Sequence, residues 1–124
     1  MRSIKELHQI IEKELADLCY PENPNDLYVP IDYILGLGGK RMRPILLLLA
    51  HQLFDQNLNT AIKPALGIEL FHNFTLLHDD IMDYAPLRRG KQTVHEKWNT
   101  NVAILSGDTM LVQAYQFISE APSK

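Results

Sequence analysis

Apolar residues in this chain recur every three or four positions, and almost nowhere every two. Ile4, Leu7, Ile10, Ile11, Leu15 and Leu18 form one such stripe, the pattern of an amphipathic helix. Ser3 and Glu6 stand at capping-box spacing before it. The stripe should end before Pro21, where PENPN reads as a turn-rich connector. A second helix is expected over Leu27 to Leu37, with Pro30 near its first turn and GLGG ending it. A third is expected from Met42 to about Phe54, with Pro44 in the first turn, where a missing N–H costs nothing. DQNLN is a loop. A fourth should run from near Thr60 to Tyr84, with Pro64 in its first turns, over about 37 Å. APLRRGKQT breaks it, and a fifth covers Asn99 to Ser119. No run alternates around a hairpin turn, so no strand is expected. The fold class is all-α, a single helical domain over residues 1–124.

Composition narrows the function. With 124 residues there is room for one modest domain. A net charge of -3 gives no basic field, which speaks against nucleic acid as a partner despite the short runs KRMR and RRGK. The longest apolar run, Pro44 to Ala50, is too short to span a bilayer, and MRSIKELHQI lacks the apolar core of a signal peptide. The single cysteine, Cys19, fits a reducing compartment. A cytoplasmic protein without stable membrane insertion is expected.

The segment LLHDDIMDYAPLRRG concentrates the chemistry. At 100° per residue, Asp79 and Asp83 lie one turn apart on one helix face, Asp80 beside them, and His72 two turns upstream. Leu66, Leu70, Leu77 and Ile81 form the opposite, core-facing stripe. Like charges at this spacing repel, and acids near a helix C-terminus face the negative end of its dipole. Mg²⁺, which takes carboxylate, water and phosphate oxygens, would reverse both penalties. A solvated acidic helix end is the plain alternative for an isolated DDxxD. Here Arg88 and Arg89 follow on a Gly-containing loop, and the arginine fork matches phosphate. Upstream, GLGGKRMRP places Lys40, Arg41 and Arg43 at a loop-to-helix junction, a place where anions bind. It is no P-loop, because Arg41 stands where Ser or Thr should follow the lysine and no strand precedes the glycines.

Three ordered motifs, GGKRMRP (Gly38 to Pro44), FHNFTLLHDDIMD (Phe71 to Asp83) and RRGKQTVH (Arg88 to His95), resemble the trans-isoprenyl diphosphate synthases. NVAILSGDTML, from Asn101 to Leu111, is similar to the helix that follows in such enzymes. The resemblance implies the N-terminal portion of the isoprenoid synthase helical bundle, and an enzyme that joins isopentenyl diphosphate to an allylic diphosphate. It implies that Asp79, Asp80 and Asp83 bind Mg²⁺ and through it the allylic diphosphate, which Arg88 also contacts. Lys40, Arg43, His72 and Arg89 would hold isopentenyl diphosphate. Phe74, five residues before Asp79, with the small Thr75 beside it, would limit the prenyl tail to fifteen or twenty carbons. Homodimers are general in the family, and Met110, Val112, Tyr115 and Phe117 are candidates for that surface, with plain core packing the equal alternative.

Family members are substantially longer and carry a second aspartate-rich motif. After Asp83 the carboxylates here are Glu96, Asp108 and Glu120, widely spaced. The chain is therefore expected to be an N-terminal fragment that is inactive alone. A non-catalytic diphosphate-binding subunit that needs a partner chain is the alternative. Terpene cyclases also use an aspartate-rich helix, but GGKRMRP and the Arg88–Arg89 pair look like sites for a second diphosphate. Of the remaining residues, His78 is a candidate supporting group for the acids, and Gly107 a close helix contact. Asp108 is expected to be a hydrogen-bonded polar group, and Trp98 a packing residue.

Overall fold

The computed structural model describes residues 1–122. Helices α1 (Ile4–Ala16), α2 (Asn25–Gly36), α3 (Met42–Gln52) and α4 (Ile62–Met82) come first. Strands β1 (Leu87–Arg88) and β2 (Lys91–Gln92), a single turn α5 (Val94–Lys97) and α6 (Thr100–Ile118) follow. The all-α reading holds. Ser3 caps α1 by accepting a hydrogen bond from the Glu6 N–H, and Asn99 caps α6 through the Val102 N–H. Leu7, Ile11 and Leu15 of α1, Ile31 and Ile34 of α2, Ile45 and Leu48 of α3, and Leu66, Leu70 and Leu77 of α4 are buried together. The expected stripes face one core, except Ile4 at the head of α1, which is exposed. The most extensive interface joins α4 and α6.

Pro44 and Pro64 are each the third residue of their helices, as expected. Pro30 is not in a first turn. It sits in mid-α2, because that helix begins two residues earlier than the periodicity suggests. A proline there leaves the carbonyl four residues back without its intrahelical donor. The Ser106 hydroxyl of α6 is buried against this turn and donates to the Leu27 carbonyl at 2.9 Å and the Asp26 carbonyl at 3.5 Å.

The expectation of no strand is corrected by the hairpin. Leu87 pairs with Gln92 and Arg88 with Lys91, antiparallel. Arg89 and Gly90 between them have φ of 52° and 76°, the two left-handed residues of a type I′ turn. Strands of two residues are too short to show any alternation. Helix α4 also stops two residues before Tyr84. Tyr84 takes a left-handed φ of 53°. Its N–H donates to the Ile81 carbonyl, and that of Ala85 to the Asp80 carbonyl, so a Schellman motif closes the helix.

On α6 the two readings divide: Met110 is fully buried and packs in the core, whereas Val112 and Tyr115 are exposed. Asp108 is exposed, 3.8 Å from His78, and not a satisfied interior group. Gly107 is a close contact: a Cβ there would collide with the His78 ring. Trp98 packs edge-on against Tyr33 at 5.3 Å. No helix of the described residues is long and apolar enough to cross a membrane.

Candidate diphosphate-binding site

Three segments far apart in sequence meet at one cleft of about 390 Å³. The α2–α3 loop brings Gly39, Lys40 and Arg41, and the first turn of α3 brings Arg43. Helix α4 contributes Glu69 and His72, and the hairpin turn contributes Arg89. Lys40, Arg43, His72 and Arg89, separated by up to forty-nine positions (89 − 40), thus line one cleft in which cations outnumber the single carboxylate, Glu69. The loop can do this because Gly38 and Gly39 take φ of 83° and 153°, values that favour glycine. Arg89 donates to the Gly38 carbonyl, and the His8 ring contacts the Gly39 carbonyl at 3.2 Å. A Cβ on Gly39 would lie 2.9 Å from the Arg89 guanidinium.

His72 is tuned by this company. Its Nε2 lies 3.2 Å from Arg43 Nη1. A guanidinium only donates, so Nε2 must be the unprotonated acceptor and the imidazole neutral. Burial first, then the positive charges of Arg43, Arg89, Arg88 and Arg41, push its pKa down. An anion entering the cleft would relieve the second cause.

The acid end of α4 lies on the other side of the hairpin. Asp79 and Asp83 are exposed. Asp83 is the residue that caps α4 and not part of its last turn, yet its N–H donates to the Asp79 carbonyl at 2.8 Å, so the two remain one turn apart. Asp80 is buried and grips Arg88 in a two-pronged pair: Nε donates to Oδ2 and Nη2 to Oδ1, both at 2.8 Å. That pair holds the Arg88 guanidinium still more firmly protonated. Asp80 and Arg88 neutralise one another directly, because the I′ turn folds β1 back along the end of α4. Consecutive residues Arg88 and Arg89 thereby serve different places, the acids and the cleft.

Among the described residues no three His, Cys, Asp or Glu side chains converge as a ready chelate. The donor set nevertheless suits a hard cation. Asp79 and Asp83 offer free carboxylates, and each Asp80 oxygen, accepting one hydrogen bond, keeps a second lone pair. Phe74 is half-buried, edge-on to His78 at 4.8 Å and to Phe71 at 5.5 Å. Thr75 bonds back to the His72 carbonyl at 2.6 Å. His78 leans towards α6, with Nε2 3.2 Å from the Ile104 carbonyl, rather than towards the acids. His95 lies 3.5 Å from the Thr93 hydroxyl.

Sequence reasoning assigned no role to Glu69 and grouped Arg41 with Lys40 and Arg43 as an anion-binding cation, a reading the structure corrects because the Arg41 guanidinium turns inward to Glu12 and the Leu35 carbonyl. Both are buried beside the cleft. The signal for Glu69 was available: a carboxylate stands beside the apolar stripe of Leu66, Leu70 and Leu77, and such residues are almost never buried unless paired. Arg41 gave none, lying between two exposed basic residues, Lys40 and Arg43.

Known proteins resemble the chain along nearly its whole length. The family model for polyprenyl synthetase matches residues 24–124. A geranylgeranyl diphosphate synthase of Methanosarcina mazei is 39% identical over 121 residues, 98% of this chain and 37% of its own length. A crystal structure of a geranylgeranyl pyrophosphate synthase superposes with a TM-score of 0.93 at 46% identity, over 99% of this chain and 38% of that one. The geranylgeranyl pyrophosphate synthetase of the archaeon Geoglobus acetivorans gives 0.90 at 37% identity, over 98% and 40%. The chain thus spans somewhat over a third of the length of these relatives. It belongs to the polyprenyl synthetase family.

Proposed function

We propose that this chain forms the two-diphosphate face of a prenyltransferase that condenses isopentenyl diphosphate with an allylic diphosphate. The carrying observation is the meeting of Lys40, Arg43, His72 and Arg89 in one cleft, with the Asp80–Arg88 pair and two free carboxylates across the hairpin. The cleft suits the isopentenyl diphosphate. Asp79, Asp80 and Asp83 would hold Mg²⁺, which supplies charge neutralisation for a departing diphosphate. Arg88 reaches the same leaving group.

The allylic C–O bond breaks with its electron pair leaving on the diphosphate. The alkene of isopentenyl diphosphate supplies the electrons of the new C–C bond, and a proton is then lost. These residues bind, orient and stabilise charge, and no side-chain nucleophile is required. Phe74 and Thr75 on the α4 face leading away from the acids favour a short product of fifteen or twenty carbons. The relatives named as geranylgeranyl diphosphate synthases support that range. A homodimer and a cytoplasmic location belong to the same reading.

Residues beyond these 124 would complete the metal cage, so the chain alone is expected to bind diphosphate weakly and to turn nothing over. In the full-length protein Asp79→Ala should lower Mg²⁺-dependent turnover by at least about 100-fold. Near-normal turnover in that variant refutes the metal assignment. No turnover by the unaltered full-length protein would instead favour a diphosphate-binding subunit.

A further inference from the structure

The loop that carries Lys40 and Arg43 contains a residue that faces the other way. Arg41 has a left-handed φ of 54°, a strained conformation for any residue with a Cβ. Its side chain is only 2% exposed and reaches three helices. Nε donates to Glu12 Oε1 of α1 at 2.6 Å, and Nη2 donates to the Leu35 carbonyl of α2 at 2.7 Å. Nη1 stands 3.8 Å from Glu69 Oε2 of α4, an ion pair too long for a hydrogen bond. Lys40 and Arg43, on either side, are exposed towards the cleft.

Stability does not account for this network. A buried ion pair loses about as much in desolvation as it gains in attraction, and apolar substitutes are often no less stable. Glu69 makes the point sharply. Its side chain is 4% exposed, Oε2 accepts no hydrogen bond, and it lines the cleft. Burial raises the pKa of its carboxyl, while Arg41, Arg43 and Arg89 work against that rise. Three residues further along α4, His72 accepts from Arg43. Glu69 and His72 thus tie Arg41 of the loop and Arg43 of α3 to one stretch of α4.

We propose that Arg41, held by Glu12, Glu69 and the Leu35 carbonyl, is the positioning residue of the isopentenyl diphosphate cleft. Its burial fixes the left-handed step that turns Lys40 and Arg43 outward with their charges in register. The inference rests on the reading of that cleft given above. Glu69 is the second positioning residue, because it anchors Arg41 from beneath the cleft floor.

The test uses the full-length enzyme with three readouts: KM for isopentenyl diphosphate, KM for the allylic substrate, and melting temperature. Arg41→Met should raise the first KM about 10-fold or more, as small misplacements of binding groups do, and leave the second near the parent value. The double variant Arg41→Met/Glu69→Met removes the buried charges together. It should recover the parent melting temperature without recovering the isopentenyl diphosphate KM, which a merely structural role would restore. Arg41→Lys keeps the charge but loses the fork; it should fold and still raise that KM. Parent KM values in Arg41→Lys, or in a double variant of parent stability, overturn the inference. Arg43→Ala is run alongside. If it raises the isopentenyl diphosphate KM while the Arg41 variants do not, only the positioning role falls. If Arg43→Ala also leaves it unmoved, the cleft reading falls and takes the positioning role with it.

Discussion

Arg88 and Arg89 show how far one peptide step can separate two roles. Arg88 closes on buried Asp80, and Arg89 turns to the Gly38 carbonyl across the cleft. Replacing Arg88 by Ala would strand the Asp80 carboxylate, at a cost of about 1–3 kcal/mol in urea unfolding. Mg²⁺ should return part of that loss if Asp80 is a ligand, whereas unaltered parent stability would show that the pair is idle. His72 gives a pH prediction. Its pKa is lowered from 6.5 in the folded protein, so just below that pH the unfolded chain binds more protons than the native one. Stability then rises with pH in this window: it is fully present above about 6.5 and is lost as pH falls towards the folded value. His72→Gln should flatten that acid limb and leave stability above about pH 7.5 little changed. An unaltered slope would remove His72 as its source. The residue types of the site were legible as an acid cluster and two basic groups. Which acid meets which arginine was not, because a two-residue turn decides it. Arg41 was likewise hidden, since nothing local separates an inward arginine from the exposed Lys40 and Arg43 beside it.

At the scale of elements, α4 and α6 depend on two glycines. A Cβ at Gly67 would lie 2.7 Å from Ile118 Cγ1 and 2.9 Å from the Ala114 carbonyl oxygen. At Gly107 its three nearest neighbours all belong to the ring of His78, a side chain rather than backbone. Alanine gains about 1 kcal/mol over glycine in a helix interior, and overpacking costs about 1–3 kcal/mol. Gly67→Ala should therefore be clearly destabilising, because its obstacle includes backbone, and Gly107→Ala less so. Urea midpoints of both variants decide it, and a stabilised Gly67→Ala would mean that the helices separate freely. The helices were legible because their apolar periods are long. Their ends were less so: Tyr84 looks like one more helical residue but takes the left-handed Schellman position, and Pro30 reads as an early residue because Asn25 and Asp26 carry no apolar signal. The hairpin was illegible for want of length, although its Arg89–Gly90 turn is marked by glycine at the second position.

At the scale of the whole molecule, the described residues bury one core and leave one face of α6 bare. Leu105, Val112 and Tyr115 are each more than half exposed. Leu105 and Val112 stand seven residues apart, hence on one stripe, and both line a groove of about 560 Å³ with Pro24, Leu27 and Tyr28. Asp26 and Asp108 belong to the same groove, polar company of the kind that edges an interaction surface. Contiguous apolar patches of this kind mark interfaces, and a stable one needs about 800 Å² from each partner. The site gains nothing from this face directly, since its residues project from α4, the loop and the hairpin. Under the homodimer reading proposed above, a second copy of the protein would occupy this face. Val112→Asp would place a charge on the stripe without touching the core, in which Met110 and Ala114 of the same helix are buried. In sedimentation equilibrium of the full-length protein it should lower the mass from dimer towards monomer, with Lys40 and Arg43 still able to bind inorganic pyrophosphate. A parent mass in that variant would assign the face to another part of the same chain. A lowered mass accompanied by lost pyrophosphate binding would show that the cleft needs the assembled state.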